Sequence, residues 1–214
     1  MKNDAIHSWA DTQPLRSPFV LPRGRLGWVA GLVMRWTNDP KAVFDLLDVR
    51  LGHEVLEVGY GPGRMIRTLA DRSRAAAIVG VDPSPRMQSD ASRHNRAAVR
   101  AGRVQLLLGT AAATGLDAQR FDRVVSVHNV ALWPDLEAGL DELARVLRPE
   151  GSLVLAWHGG LARSWVARRL QLPAEKIVRI AAALRARFDA VEQIDQERDV
   201  VFRARGRHLS QGER

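Results

Sequence analysis

An apolar run, Val55-Leu56-Glu57-Val58, leads into Gly59-Tyr60-Gly61-Pro62-Gly63-Arg64, so three alternating glycines follow directly behind an acid. Glycine accepts positive φ and lets a bound molecule approach where a Cβ would collide, so a glycine cluster at a strand end suits contact with a ligand. A dinucleotide turn spaces its glycines G-x-G-x-x-G, but here Arg64 stands at the third position. Pro62 also removes a backbone N–H of the kind a pyrophosphate uses. The loop is therefore better suited to a ligand without phosphates. Asp82 closes the next apolar run, where a carboxylate accepts hydrogen bonds from both hydroxyls of a ribose. Its alternative use is to cap the helix starting near Pro83.

These residues need a strand before the loop and a helix after it. Short runs rich in valine, leucine and isoleucine at 54–58, 77–81, 104–108, 123–127, 152–157 and 190–194 alternate with helix-like segments. Such alternation predicts a mainly parallel sheet with helices on both faces. Met65, Ile66 and Leu69 place a helix directly behind the glycines, starting at about Arg64. Leu136, Leu140, Leu143 and Leu147 recur at helical spacing, with Asp135 as N-cap and Arg148-Pro149-Glu150-Gly151 as the stop. A helix is expected over 173–188. The run at 200–204 follows 190–194 after only a charged turn, so the sheet should end in an antiparallel hairpin.

Composition narrows the function classes. The chain has 214 residues, 46% of them hydrophobic, enough for one domain with a substantial core. There is no cysteine, which excludes disulfides and thiolate catalysis, and the six histidines have no metal-site spacing, so no metal is expected. The first residues lack the apolar core of a signal peptide, and the longest apolar stretch falls short of the roughly 18 residues of a spanning helix. The expectation is a cytoplasmic protein without a membrane span. A net charge of +8 raises nucleic acid as a partner, but the arginines are spread over many segments and read as a solvated surface. Residues 1–22 and 206–214 are expected to be flexible, leaving one domain over 23–205.

Four segments in order and spacing resemble the class I S-adenosylmethionine-dependent methyltransferases of small-molecule type, related to quinone and sterol methyltransferases. They are Glu57-Val58-Gly59-Tyr60-Gly61-Pro62-Gly63, Val81-Asp82-Pro83-Ser84-Pro85-Arg86-Met87, Phe121 to Asn129, and Leu143 to Leu155. The resemblance implies a Rossmann-like three-layer α/β fold, with a seven-stranded mainly parallel sheet whose last strand is antiparallel. It also implies lid helices ahead of the core at 23–48. In the cofactor site it places Glu57 and the backbone of Gly59, Tyr60, Gly61 and Gly63 on the methionine part of S-adenosyl-L-methionine. Asp82 then takes the ribose, and Pro83, Met87, Thr110 and Ala111 the adenine side. Thr110 departs from the family, which commonly has an aspartate there, and Glu150 stands where glycine is usual.

Methyl transfer from a sulfonium needs alignment and exclusion of water more than it needs a base. For an oxygen or acidic carbon acceptor a base helps, and His128 at the end of the fourth strand is the candidate, either as base or as a residue that orients the acceptor. Its alternative is a ring that packs beside the cofactor without exchanging a proton. Trp28, Asn129, Trp133 and His158 are candidate pocket residues, with Trp133 a candidate cation-π cover for the sulfonium. An apolar helix at 24–36 favours a hydrophobic small-molecule acceptor. The sequence carries no Asp/Asn-Pro-Pro-aromatic motif of base-methylating enzymes after the fourth strand. RNA methylation and non-catalytic cofactor binding are the alternative functions, and a monomer and a homodimer are both compatible with the sequence.

Overall fold

The computed structural model describes residues 8–10, 40–159 and 171–208. Seven strands, β1 (Glu54–Val58), β2 (Ala77–Asp82), β3 (Val104–Leu108), β4 (Phe121–Val127), β5 (Leu147–His158), β6 (Phe188–Asp195) and β7 (Asp199–Arg207), form one sheet in the order β3-β2-β1-β4-β5-β7-β6. β1 to β5 are parallel where they pair, and β7 lies antiparallel between β5 and β6. The terminal hairpin is thus present, with β7 inserted inside the sheet rather than added at its edge. The chain winds outward from β1 through β2 to β3, then returns to the other side of β1 as β4. That reversal opens a crevice at the carboxyl ends of β1 and β4, the usual ligand position in such sheets.

Side chains alternate between two cores because both sheet faces are covered. Val55, Ile78, Val125 and Val154 pack beneath α1 (Lys41–Leu47), α2 (Arg64–Arg72) and α3 (Pro85–His94). Leu56, Val79, Val124 and Leu153 pack beneath α5 (Leu136–Val146) and α6 (Ala174–Arg185). α4 (Arg96–Arg100) is a short turn behind α3. Asp135 caps α5 as expected, accepting from the Ala138 N–H at 2.9 Å.

One local feature differs from expectation. α5 gives way to β5 without a loop, and the proposed stop Arg148-Pro149-Glu150-Gly151 lies inside β5. There the register jumps from Phe121 opposite Leu147 to Arg123 opposite Ser152, so the extra residues form an irregularity at the strand's start. Of the two expected lid helices, the one at 24–36, with Trp28, lies outside the described residues. The other is α1, which buries Val43 and Leu47 in the core and so belongs to the helical layer. Ser8–Ala10, within the segment expected to be flexible, dock on the turn after β4. Ser8 Oγ donates to Ala131 O (2.6 Å) and Trp9 Nε1 to Val130 O (2.7 Å). Among the described residues no helix is long and apolar enough to cross a membrane.

Trp133 is locked against α5 at Gly139, where an added Cβ would lie 2.5 Å from the indole Cε3. The indole cannot retreat freely because its N–H is bonded to Asn129. Gly139→Ala should therefore cost about 1–3 kcal/mol despite its gain in helix propensity, as overpacked cores do. Chemical denaturation measures this, with a fall in the midpoint expected.

Candidate functional site

The loop after β1 is fixed from three sides. Gly59 has φ 76° and donates its N–H to Val81 O at 2.7 Å, joining β1 to the end of β2. A Cβ there would meet the Asn129 side chain at 2.2 Å, so only glycine fits against it. Asn129 Nδ2 donates to Val58 O (2.8 Å), while its Oδ1 accepts from Ser126 Oγ and Trp133 Nε1, both at 2.7 Å. The amide thus clamps β1 to β4 across the crevice. On the other side Asp82 Oδ2 accepts from the Gly61 N–H and Oδ1 from the Ser84 N–H, both at 2.9 Å. Ser84, not Asp82, caps α3, accepting from Met87 N at 3.3 Å. The capping alternative for Asp82 is therefore set aside.

Glu57 and Asp82 lie beside this loop, 3% and 6% exposed. Burial, then the charge of Asp82, pushes the Glu57 carboxyl well above its ordinary range; a hydrogen bond from the Ile66 backbone opposes this. Asp82 is also raised by burial, opposed by its bonds from Ser84 and Gly61. No basic side chain offsets either acid among the described residues. Glu57 Oε2 is buried without a hydrogen-bond partner. Two buried carboxylates with spare acceptor capacity, in a loop built around close backbone approach, fit a ligand that is cationic and carries hydroxyls. S-adenosyl-L-methionine, with its sulfonium, ammonium and ribose diol, meets both requirements.

The remaining expected site residues divide between cleft and core. Pro83 and Thr110 are exposed. Thr110 and Ala113 close a turn by reciprocal backbone bonds at 3.1 and 3.2 Å, with Ala111 buried between them. Tyr60 and Met87 project into the core: Tyr60 donates its hydroxyl to Leu107 O at 3.2 Å, and Met87 is 3% exposed beneath α3. Their side chains are therefore supports rather than ligand contacts. Trp133 is likewise a core residue, its one donor spent on Asn129, and Asn129 has its amide committed to the clamp. Leu108, half exposed and in register with Asp82, was not anticipated and offers apolar surface beside that acid.

His128 and His158, at the ends of β4 and β5, come together with Asp199 at the start of β7. His128 Nε2 lies 2.7 Å from Asp199 Oδ1, and the two imidazoles stack with centroids 3.7 Å apart and planes 16° apart. His158 Nδ1 is 3.9 Å from the same oxygen. Burial, then the His128 ring, lowers the His158 pKa to about 3 against the pull of Asp199, so His158 is neutral at physiological pH. His128 Nδ1 is buried without a partner. The local histidine spacing gave no sign of this cluster, whose atoms are within 4.8 Å of one another. His128 itself has φ 58°, uncommon for a residue with a Cβ, and is held by its N–H to Ala156 O at 2.8 Å.

Comparison with known proteins agrees with this geometry. Residues 55–151 match a family model described as a methyltransferase domain. The uncharacterised methyltransferase YdaC of Bacillus subtilis is 30% identical over 129 residues, which cover 59% of this chain and 69% of YdaC. Nocamycin O-methyltransferase of Saccharothrix syringae is 36% identical over 117 residues, 54% of this chain but only 41% of that protein. Among solved structures, a SAM-dependent methyltransferase from Aquifex aeolicus superposes with a TM-score of 0.63 at 18% identity, covering 79% of this chain and 90% of the other.

Because the folded pKa of Glu57 is raised, the folded state holds its proton more tightly than the unfolded one. Its contribution to stability is therefore lost as pH rises through that folded value. Glu57→Gln should raise the melting temperature of the ligand-free protein most at neutral and higher pH and least in acid. Thermal unfolding across a pH series checks this; a destabilised variant at every pH would contradict it.

Proposed function

The chain belongs to the class I S-adenosyl-L-methionine-dependent methyltransferase family, and from that premise we propose that it methylates a small organic acceptor. The observation that carries the reading is the buried acid pair Glu57 and Asp82, with Glu57 Oε2 lacking a partner, at a glycine loop on the switch point of the sheet. Glu57 and the loop backbone hold the methionine end, Asp82 the ribose, and Leu108 with Thr110 and Ala111 the adenine side. Bound there, S-adenosyl-L-methionine supplies a methyl group on a sulfonium centre together with its thioether leaving group. The chain's own part is alignment: Asn129 fixes the loop against β4, and His128 and His158 line the acceptor side at the ends of β4 and β5.

A small acceptor is favoured over RNA by the way the positive charge is spent. Arg67, Arg86, Arg145, Arg179, Arg187 and Arg203 each pair with a carboxylate, so these surface arginines do not form a free basic face. The kinship with nocamycin O-methyltransferase, whose name gives its activity, supports the same choice. Since the match covers under half of that relative, its acceptor does not carry over with the fold.

S-adenosylhomocysteine should raise the melting temperature, since a ligand that binds only the folded state stabilises it. Asp82→Ala removes both charge-assisted ribose contacts and the tie to Gly61, so affinity measured by calorimetry should fall at least about tenfold. Unchanged affinity in that variant would remove Asp82 from the site.

A further inference from the structure

We propose that His128, held by Asp199 and faced by His158, is the base that takes the proton from a weakly acidic hydroxyl of the acceptor, so that the reaction is the O-methylation of a phenol or enol. This rests on the methyl-transfer reading above and specifies its acceptor.

An ionised carboxylate only accepts hydrogen bonds, so the proton shared at 2.7 Å between His128 and Asp199 sits on Nε2. The opposite nitrogen, Nδ1, is then an acceptor. It is buried without a partner on a side chain only 8% exposed, an arrangement that is unfavourable until a donor arrives. His128 is also the neighbour in sequence of Asn129, whose amide reaches Val58 O and, at 3.4 Å, Gly59 O. The base and the cofactor loop are therefore fixed to one another through a single side chain. The left-handed backbone of His128 and its bond to Ala156 hold the ring in this place.

The same three groups resemble a metal-ligand set, but the ring geometry favours a proton. Rings stacked within 16° of parallel aim their nitrogen lone pairs side by side, and one ion cannot lie in the planes of both. Among the described residues, the titratable groups in contact with His128 are Asp199 from β7 and His158 from β5. His158 is neutral and uncharged in the resting cluster, leaving Asp199 as the charge that faces the ring.

An amine that is neutral at physiological pH attacks through its lone pair and sheds its proton afterwards, so it needs no such base. A hydroxyl with a pKa near that of tyrosine, about 10, gains from one. Its proton passes to Nδ1 while an oxygen electron pair forms the bond to the methyl carbon. The carbon–sulfur bond breaks with its pair on sulfur, giving a methyl ether and a neutral thioether. The positive charge moves to the imidazole, where Asp199 balances it. His128 is the catalytic residue, and Asp199 and His158 are positioning residues.

Two readouts test this. Nitrogen NMR of histidine-labelled protein saturated with S-adenosylhomocysteine should find His128 protonated on Nε2 with Nδ1 bare. With S-adenosyl-L-methionine and a panel of phenols of graded acidity, methyl ethers should form. His128→Asn and Asp199→Asn should each lower kcat about 100-fold or more, with the KM for S-adenosyl-L-methionine changed less than about twofold. His128 protonated on Nδ1, unaltered kcat in both variants, or methylation of amines but no phenol would overturn the proposal. One equivalent of zinc shifting the resonances of both rings, with activity lost to a chelator and restored by metal, would overturn it in favour of a metal centre. If S-adenosylhomocysteine still raises the melting temperature while no phenol reacts, only the base assignment fails. If that ligand has no effect, the methyltransferase reading fails with it.

Discussion

Two carboxylates buried at the carboxyl edge of the sheet, with no cation among the described residues to balance them, set the terms for the structure around them. A charge taken out of water is costly unless paired, and both groups respond with raised pKa values. The fold retains them because the surrounding parts depend on their position. Asp82 holds the glycine loop by its bond from Gly61 and the start of α3 by its bond from Ser84. Glu57 takes one of the free N–H groups of α2 through Ile66. In the proposed site a cationic nucleoside would supply what both acids lack, so that ligand binding and local stability would share one cause.

A second constraint acts on the far side of the crevice. The amide of Asn129 ties β1 to β4 and anchors Trp133, and Trp133 leaves room on α5 only for Gly139. Ser8 and Trp9 cover the same turn from outside. The residue before Asn129 is thereby placed with little freedom. That residue is His128, and its left-handed backbone is the local strain that this bracing sustains. The strands contribute one group each to the cluster there, and a parallel sheet with one antiparallel insertion brings their ends together: β4 and β5 finish where β7 begins.

Much of this was legible in the sequence because it depends on local pattern. The apolar runs of the parallel strands, the glycines after Val58 and the cap at Asp135 each announce themselves within a few residues. So did the acid at Asp82, which closes β2 as its place behind an apolar run indicated. What escaped is set by distance. His128 and Asp199 are 71 positions apart, and no spacing rule reveals that β7 enters the sheet beside β5. Met87 was read as packing on the adenine from its place in a motif, yet the first turn of α3 turns its side chain inward. Arg148 to Gly151 has the composition of a turn, but Leu147 and Ser152 on either side of it both pair with β4, so it becomes an irregularity within the strand.

Burial raises the proton affinity of Glu57 and Asp82 in the free protein, and a cation bound beside them should lower it, so that binding releases protons to solvent. Titration calorimetry with S-adenosyl-L-methionine at mildly acidic pH, in buffers of differing ionisation enthalpy, measures this directly. Binding should release protons, with an observed heat that changes with the buffer, and the release should shrink in Glu57→Gln. Heat independent of the buffer, or a net uptake of protons, would contradict the account.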